Sequence, residues 1–245
     1  MDGFSVLVLI LFCNLLNHVH FQFTLIYQLP FRNSMASESG ERLSKARLER
    51  LTDGVFAIVM TILVLEITIP FISPTDVSTE LPKLLIELWP ALLSYAISFI
   101  ILGFFWISHD DQFHYIRRVN RPLLGLSIFY LMFIALIPFS ASLLGEFGNQ
   151  QFAILVYGIN LIVCSSWNYL HWWYATRNNL LVDKDLDPYF VRRELRRYSI
   201  SILMYIIAIL VAFVNTNLSI LLFVGTPLYY LMPIEKNRYL FWRNK

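Results

Sequence analysis

The sequence has little charge for its length and a large apolar fraction. Of its 245 residues, only 15% are Asp, Glu, Lys or Arg, whereas 57% are hydrophobic, and the mean hydropathy is +0.59. A soluble domain of this size could not bury so much apolar surface, so the composition favours a membrane protein. The net charge is only +2, which argues against a nucleic-acid-binding surface.

Cysteine and catalytic motifs are also scarce. The two cysteines, Cys13 and Cys164, lie in apolar stretches, so we expect neither a disulfide framework nor a metal cluster, and interpret Cys164 as a packing residue. The sequence contains no Walker loop, no GxSxG turn and no TVGYG filter. We therefore expect no enzyme activity and no bound cofactor.

One segment, HDDQFH at 109–114, has residue types that bind metals. Asp110 and His114 are four residues apart and would share a helix face. The segment lies in a basic connection without a third ligand cluster at matched depth, so we do not predict a metal site.

The basic residues are unevenly distributed. Seventeen of the nineteen Lys and Arg residues belong to four clusters: Arg42/Lys45/Arg47/Arg50, Arg117/Arg118/Arg121, Arg177/Lys184/Arg192/Arg193/Arg196/Arg197 and Lys236/Arg238/Arg243/Lys245. The other three connections of the core hold only Lys83. Short basic loops stay cytoplasmic, so all four clusters are predicted on that side, with an even number of crossings between them.

Six apolar stretches alternate with these clusters and predict an all-α membrane protein with six transmembrane helices. A span needs about 20 mostly apolar residues. The predicted spans are 54–71, 88–108, 123–144, 152–174, 199–214 and 218–232. Pro70 and Pro74 should help to stop the first span, and Pro138 falls inside the third.

Residues 1–34 form a separate apolar stretch without the basic start or the cleavage site of a signal peptide. Met35 begins MASESGERLSKARLER, which reads like a natural start. We interpret 1–34 as an extension or a start-site artefact, with an interfacial or seventh helix as the alternative, and 35–245 as the six-helix domain.

Polar residues at the ends of the first two spans should share one membrane depth, because the spans run in opposite directions. They are Arg47 and Asp53 before the first span, and Trp106 and His109 at the end of the second. Ionisable groups at this depth tend to pair. Alternatively, Thr52 and Asp53 only cap the helix, Arg47 only anchors to lipid and His109 faces water.

The first span also carries a stripe at about 100° per residue, formed by Ile58, Thr61, Ile62 and Leu65. Such a stripe could line a pore or simply face lipid and neighbouring helices, and Thr61 could bond back to the carbonyl of Ala57. In the fourth span, we expect interhelical hydrogen bonds from five polar residues: Asn160, Ser165, Ser166, Asn168 and His171.

The segment RLERLTDGVFAIVMTILVLEI resembles the first helix of the transmembrane protein 175 family of potassium channels. The family motif is Arg, three residues, then Phe-Ser-Asp, and here Arg47 is followed by Leu51-Thr52-Asp53. SFIILGFFWISHDDQF is similar to the second helix, with Trp106 and His109 at matching places and Ser108 where the family usually has Asn. LIPFSASLLGEFGNQ is also similar. The resemblance covers about 42–175, and the last two spans by topology only.

This resemblance implies a single six-helix repeat of the prokaryotic type, assembled as a homotetramer with the first helix lining the pore at the axis. The family's apolar constriction then corresponds to Ile58, Ile62 and Leu65, and its hydroxyl layer for selectivity to Thr61. The family's structural network corresponds to Arg47, Asp53, Trp106 and His109.

We therefore expect a potassium-selective, passive channel in the cell membrane, multi-pass, with both ends of the core cytoplasmic. Its partners would be potassium ions, lipid and other copies of the chain, and not nucleic acid. The alternative is a secondary transporter or a proton-permeable pathway, for which Glu66 is the acidic candidate within a span. An intramembrane enzyme is a third and weaker class.

Overall fold

The structure is a computed structural model that describes residues 38–69 and 77–231. Within these ranges the chain is helical, which confirms the all-α class. The helices are α1 Glu38–Ile62, α2 Val77–Glu87, α3 Trp89–Tyr115, α4 Arg121–Ala135, α5 Ile137–Phe147, α6 Gln151–Thr176, α7 Pro188–Ala212 and α8 Thr216–Leu231. The predicted extension 1–34, the stop signals Pro70 and Pro74, and the last basic cluster lie outside the described residues.

Four helical segments in the described part of the chain are long and apolar enough to cross a membrane. They are Trp89–Tyr115, Arg121–Phe147, Gln151–Asn179 and Pro188–Ala212, and Thr216–Pro227 is a shorter apolar helix. The first four coincide with the second to fifth predicted spans, so the chain is a multi-pass membrane protein. α1 is not among them because its first half is charged.

The first predicted span runs beyond the C-terminal end of its helix. α1 tightens into a 3₁₀ turn over Leu63–Glu66, and Ile67 after the turn has an extended backbone. Ile67, Thr68 and Ile69 are β-branched and favour extended backbone. Pro70 also disfavours a helical residue before it, so the helix ends before the proline.

The third predicted span is broken at Leu136, between α4 and α5. The break is a consequence of Pro138, which lies in the first turn of α5. Proline has no N–H to donate, and its ring would clash with the carbonyl of Ile134 in a continuous helix. α5 therefore begins with the proline in its first turn, where no backbone N–H donor is needed.

The helix α2 was not predicted from the sequence. It lies between the first predicted span and α3. It covers Val77–Glu87 and contains Pro82. Leu84 is buried, whereas Leu81, Leu85 and Ile86 are exposed. The segment lies in the connection between the first two predicted spans, which end at 71 and begin at 88.

α6 is the central helix of the described bundle, packing against α4, α5 and α7, and also touching α3 and α8. Its Gly158 marks the closest approach, because a Cβ there would lie 2.5 Å from Ile209 Cγ1 and 3.0 Å from Phe223 Cζ. α3 and α5 are similarly close: a Cβ at Gly145 would lie 3.0 Å from Ala91 Cα. Small residues at these crossings let membrane helices pack closely.

Buried polar groups join α6 to its neighbours. Asn168 Nδ2 donates to Ser108 Oγ at 3.0 Å, and Gln112 Nε2 donates to Asn168 Oδ1 at 3.1 Å. Asn160 lies 3.2 Å from Ser140 Oγ on α5. The predicted interhelical bonds of Asn160 and Asn168 are therefore confirmed, but Ser166 was wrongly assigned.

Ser166 Oγ donates to Ile162 O of its own helix at 2.7 Å. A serine on a half-buried face can satisfy its hydroxyl this way without a partner helix.

Candidate functional site

The two faces of α1 differ sharply in exposure. Phe56 and Val59 are 1% and 3% exposed, whereas Ile58 is 59% exposed. The buried side continues to Leu63 in the 3₁₀ turn, which packs on α3 and α5. Phe56 also contacts the ring of Tyr130 on α4, with ring centroids 6.2 Å apart. One face of α1 is thus fixed to the bundle and the opposite face is uncovered in a single chain.

All four residues of the stripe lie on the uncovered face. Ile58, Ile62 and Leu65 are exposed, Leu65 to 74%, and Thr61 lies between them on the exposed side. Leu65 belongs to the 3₁₀ turn, where each residue turns more than in an α-helix. The structure therefore brings the predicted constriction and selectivity residues onto one surface.

The hydroxyl of Thr61 is bonded within its own helix. Thr61 Oγ1 donates to Ile58 O at 2.7 Å, three residues back and not to Ala57. Donating this proton leaves the lone pairs of Oγ1 free to accept or to coordinate. The back-bond therefore fixes the hydroxyl without removing its capacity as an oxygen ligand.

At the other end of this face, Asp53 is joined to α3. Trp106 Nε1 donates to Asp53 Oδ1 at 2.9 Å. Both side chains are exposed apart from this contact. The bond is the direct polar link between two of the four residues that were expected to meet at one membrane depth.

His109 lies next to this pair but is buried among rings. Its imidazole stacks on Phe113 at 4.3 Å and on Tyr130 at 5.5 Å, and meets His171 edge-on at 5.8 Å. His109 is therefore held between α3, α4 and α6 and does not face water.

Arg47 is six residues of α1 before Asp53, and its side chain is exposed. Among the described residues, no hydrogen bond or ion pair joins it to Asp53, Trp106 or His109. The neighbouring Lys45 is the basic residue that reaches α3, where its Nζ donates to Phe113 O at 2.7 Å.

The sequence reasoning missed the polar layer behind Trp106 and His109. Ser108 and Gln112 both bond to Asn168 there. Ser108 and Gln112 are four residues apart and flank His109, which is a signal that both face the same neighbouring helix. Their partner on α6 could not be identified by spacing, because it lies about 60 residues away.

Residues 47–138 match the family model described as endosomal/lysosomal potassium channel TMEM175. The chain is 31% identical over 188 residues to a potassium channel of Streptomyces collinus, covering 75% of this chain and 90% of that one. It is 36% identical over 118 residues to the endosomal/lysosomal proton channel TMEM175 of Gallus gallus, covering 45% of this chain and 23% of that one.

The fold also matches a solved structure. The crystal structure of a lysosomal potassium-selective channel TMEM175 homolog from Chamaesiphon minutus superposes with a TM-score of 0.68 and 25% identity, covering 77% of this chain and 97% of that chain. The family match includes the Arg47–Asp53 motif, Trp106 and His109, and the structural match extends over most of the bundle. The chain therefore belongs to the TMEM175 family of ion channels.

Proposed function

We propose that this chain conducts potassium passively through a pore that four copies form around their α1 helices. The observation that carries the proposal is the uncovered apolar face of α1, opposite a face that is fixed to the bundle. A helix that is apolar on both sides, with one side packed, needs lipid or another copy on the second side. Similarity to the potassium channels named above favours other copies.

The proposed subunit has six spans. α1 beyond Asp53 together with the Leu63–Glu66 turn would be the first, and α8 the sixth. Both are short, so their neighbours in the assembly would have to shield their ends. The basic clusters would put both ends of the core on the cytoplasmic side of the cell membrane.

Four Ile58 side chains around the axis would form a narrow apolar collar, followed by Ile62 and Leu65. Such a collar offers no oxygen ligand, so its water occupancy would control the flux. Asp53, at the cytoplasmic mouth, would raise the local concentration of cations.

Selectivity would come from the collar or from Thr61. Sodium holds its water more tightly than potassium does. Entering a dry collar therefore costs sodium more dehydration free energy, which by itself favours potassium. The Thr61 oxygen, whose proton is already donated to Ile58 O, could instead coordinate the partly dehydrated ion. These two mechanisms differ in what a Thr61 substitution would do.

Recording of the purified chain in planar bilayers tests the function. With potassium on one side and sodium on the other, we expect discrete current steps whose reversal potential lies toward the potassium equilibrium potential. Slow electroneutral flux without current steps would mean a transporter, and reversal at zero would mean a non-selective pore.

The orientation has its own test, on a background with Cys13 replaced by serine and the buried Cys164 kept. An impermeant thiol reagent should label Asn149→Cys in intact cells and Asp185→Cys only after lysis. The reverse pattern would invert the proposed topology.

A second candidate function is proton conduction, which the name of the Gallus gallus relative suggests. Glu66 is exposed in the 3₁₀ turn at the far end of the stripe and is the carboxylate best situated to pass protons. A reversal potential that follows the pH gradient in symmetric potassium would favour this function.

A further inference from the structure

The helix α2 has an apolar side that the rest of the described chain leaves uncovered. Leu81, Leu85 and Ile86 are exposed, Ile86 to 75%, and Trp89 at the start of α3 is 64% exposed. Leu81, Leu85 and Trp89 follow one another at intervals of four residues, so they share one side of the helix. Leu84 is instead buried, and α2 packs against α3. α2 is therefore attached to the bundle on one side and presents large apolar side chains on another.

The charged residues of α2 lie opposite this apolar side. Glu80, Lys83 and Glu87 are exposed, and at about 100° per residue they fall within one narrow sector of the helix. The middle of that sector lies about 160° from the middle of the apolar side. α2 is thus amphipathic, with its polar and apolar surfaces separated as in helices that lie in the surface of a membrane.

The apolar side of α2 continues along α3, which is long and apolar enough to cross a membrane. Leu88 between the two helices has helical dihedral angles, and Leu92 N donates to Leu88 O at 3.0 Å. The helical rotation therefore carries on across the junction. Leu92 and Leu93 are exposed in the same sector as Trp89. The uncovered side of α2 is thus continuous with an exposed apolar side of a membrane-spanning helix.

α3 is by itself long enough for the hydrocarbon core of a bilayer. The stretch from Trp89 to Ser108 rises roughly 30 Å, which is the thickness of that core, and charged residues follow it. A straight continuation would put Leu81 roughly 12 Å outside the hydrocarbon, with the apolar side of α2 in water. The junction can bend instead, because Pro90 has no N–H to donate to Ile86 O. α2 therefore begins at the surface of the membrane.

We propose that α2 lies in the surface of the bilayer, with Leu81, Leu85, Ile86 and Trp89 in the boundary between headgroups and acyl chains. Tryptophan is enriched at this depth, because its ring is apolar and its N–H is polar. Contacts between membrane helices are instead enriched in small residues, whereas these four residues are all large. The apolar side of α2 is therefore covered by lipid and not by a second copy of the chain.

The charges of α2 indicate the kind of lipid surface that it fits. Its exposed polar side carries the carboxylates of Glu80 and Glu87 and the ammonium of Lys83. An anionic surface attracts segments that are rich in Lys and Arg, so it would give α2 no net attraction. The matching surface is zwitterionic, such as phosphatidylcholine. This contact requires a membrane-spanning chain but not conduction, so it stands apart from the function proposed above.

Spin labels on the two sides of α2 test the contact directly. Leu81→Cys and Leu85→Cys label the apolar side, and Lys83→Cys and Glu87→Cys label the charged side, each in the full chain on the cysteine background of the orientation test. The labelled chains are reconstituted in phosphatidylcholine vesicles. Electron paramagnetic resonance then compares the collisions of each label with oxygen, which concentrates in lipid, and with a neutral nickel chelate, which stays in water.

We expect the ratio of oxygen to nickel collisions to be several-fold higher at Leu81 and Leu85 than at Lys83 and Glu87. Asn149→Cys, in the exposed turn between α5 and α6, gives the reference for a label in water. All five positions are exposed, so the labels should leave elution on a sizing column unchanged. Adding phosphatidylglycerol to the vesicles should leave the ratios unchanged.

Three results would overturn the proposal. A label at Leu85 that collides with nickel as freely as the label at Asn149 would mean that α2 stands in water. A label at Leu85 that is shielded from both reagents would mean that protein covers this side, as in a contact between copies. Lipid exposure that appears only with phosphatidylglycerol would contradict the zwitterionic surface.

Discussion

Trp106 on α3 donates its indole N–H to Asp53 on α1 at 2.9 Å. The bond holds the start of the apolar face of α1 at a fixed position against the bundle. Asp53 is thereby constrained while its second oxygen remains available to water or a cation. Asp53 can thus both stabilise the fold and attract cations.

Trp106→Phe should destabilise the chain through loss of this donor. We expect a loss of about 1 kcal/mol, below the usual value for a charged acceptor because both side chains are partly solvated. Asp53→Asn keeps an acceptor oxygen and should change the unfolding midpoint less. Thermal unfolding of the two variants checks this, and a larger effect of Asp53→Asn would mean that the charge, and not the bond, stabilises the fold.

The buried bond between Asn168 and Ser108 offers a matched comparison within the bundle. Ser108→Ala removes a partner of Asn168 Nδ2 on another helix, and we expect a cost of about 0.6 to 1.7 kcal/mol, as found for polar contacts between membrane helices. Ser166→Ala removes only a bond within α6 and should stay within about 0.5 kcal/mol. Equal midpoints in denaturant unfolding would show that the Ser108 contact is not stabilising.

Arg47→Ala is expected to reduce the assembled oligomer more than the current of each channel. The guanidinium is exposed in one chain, so its loss should destabilise a single subunit by at most about 1 kcal/mol. In the oligomer, a second copy could supply a partner for this guanidinium. Arg50→Ala is the control, because Arg50 Nε bonds to Ala46 O of its own helix. Normal tetramer yield for both variants on a sizing column would identify Arg47 as a lipid anchor only.

Thr61→Ala separates the two mechanisms of selectivity. If the hydroxyl oxygen coordinates potassium, the substitution should bring the reversal potential closer to zero while current continues. If dehydration at the collar dominates, the reversal potential should stay unchanged. The measurement is the reversal potential under opposed potassium and sodium, with Thr68→Ala, two residues beyond the 3₁₀ turn, as a control.

Much of the fold could be predicted because hydropathy and charge reflect the membrane directly. The second to fifth spans were located correctly, but their helices extend further. α7 begins at Pro188 and not near Ser199, since Asp187 caps it by accepting from Tyr189 N at 2.9 Å. Hydropathy indicates where a helix enters lipid, whereas the first and last residues of the helix are set by capping groups that are exposed to water.

The candidate site was predictable in part for a similar reason. The period of a helix puts Ile58, Ile62 and Leu65 on one side, and their exposure in a single chain follows from that period once Phe56 and Val59 are packed. Which polar groups pair at the end of α1 did not follow, because depth alone does not distinguish Arg47 from Lys45. Only the rotation of α1 against α3 decides that Lys45 reaches Phe113 O.

The central claim is that the exposed face of α1 lines the conduction pathway, and the current through Ile58→Asn channels tests it most directly. Asn has similar bulk and an amide that holds water. Unitary currents and reversal potentials should be recorded under opposed potassium and sodium, beside Val59→Asn on the buried face. We predict a larger current and weaker potassium selectivity for Ile58→Asn, and loss of folded protein without altered permeation for Val59→Asn. Wild-type behaviour of Ile58→Asn together with altered permeation in Val59→Asn would contradict the account.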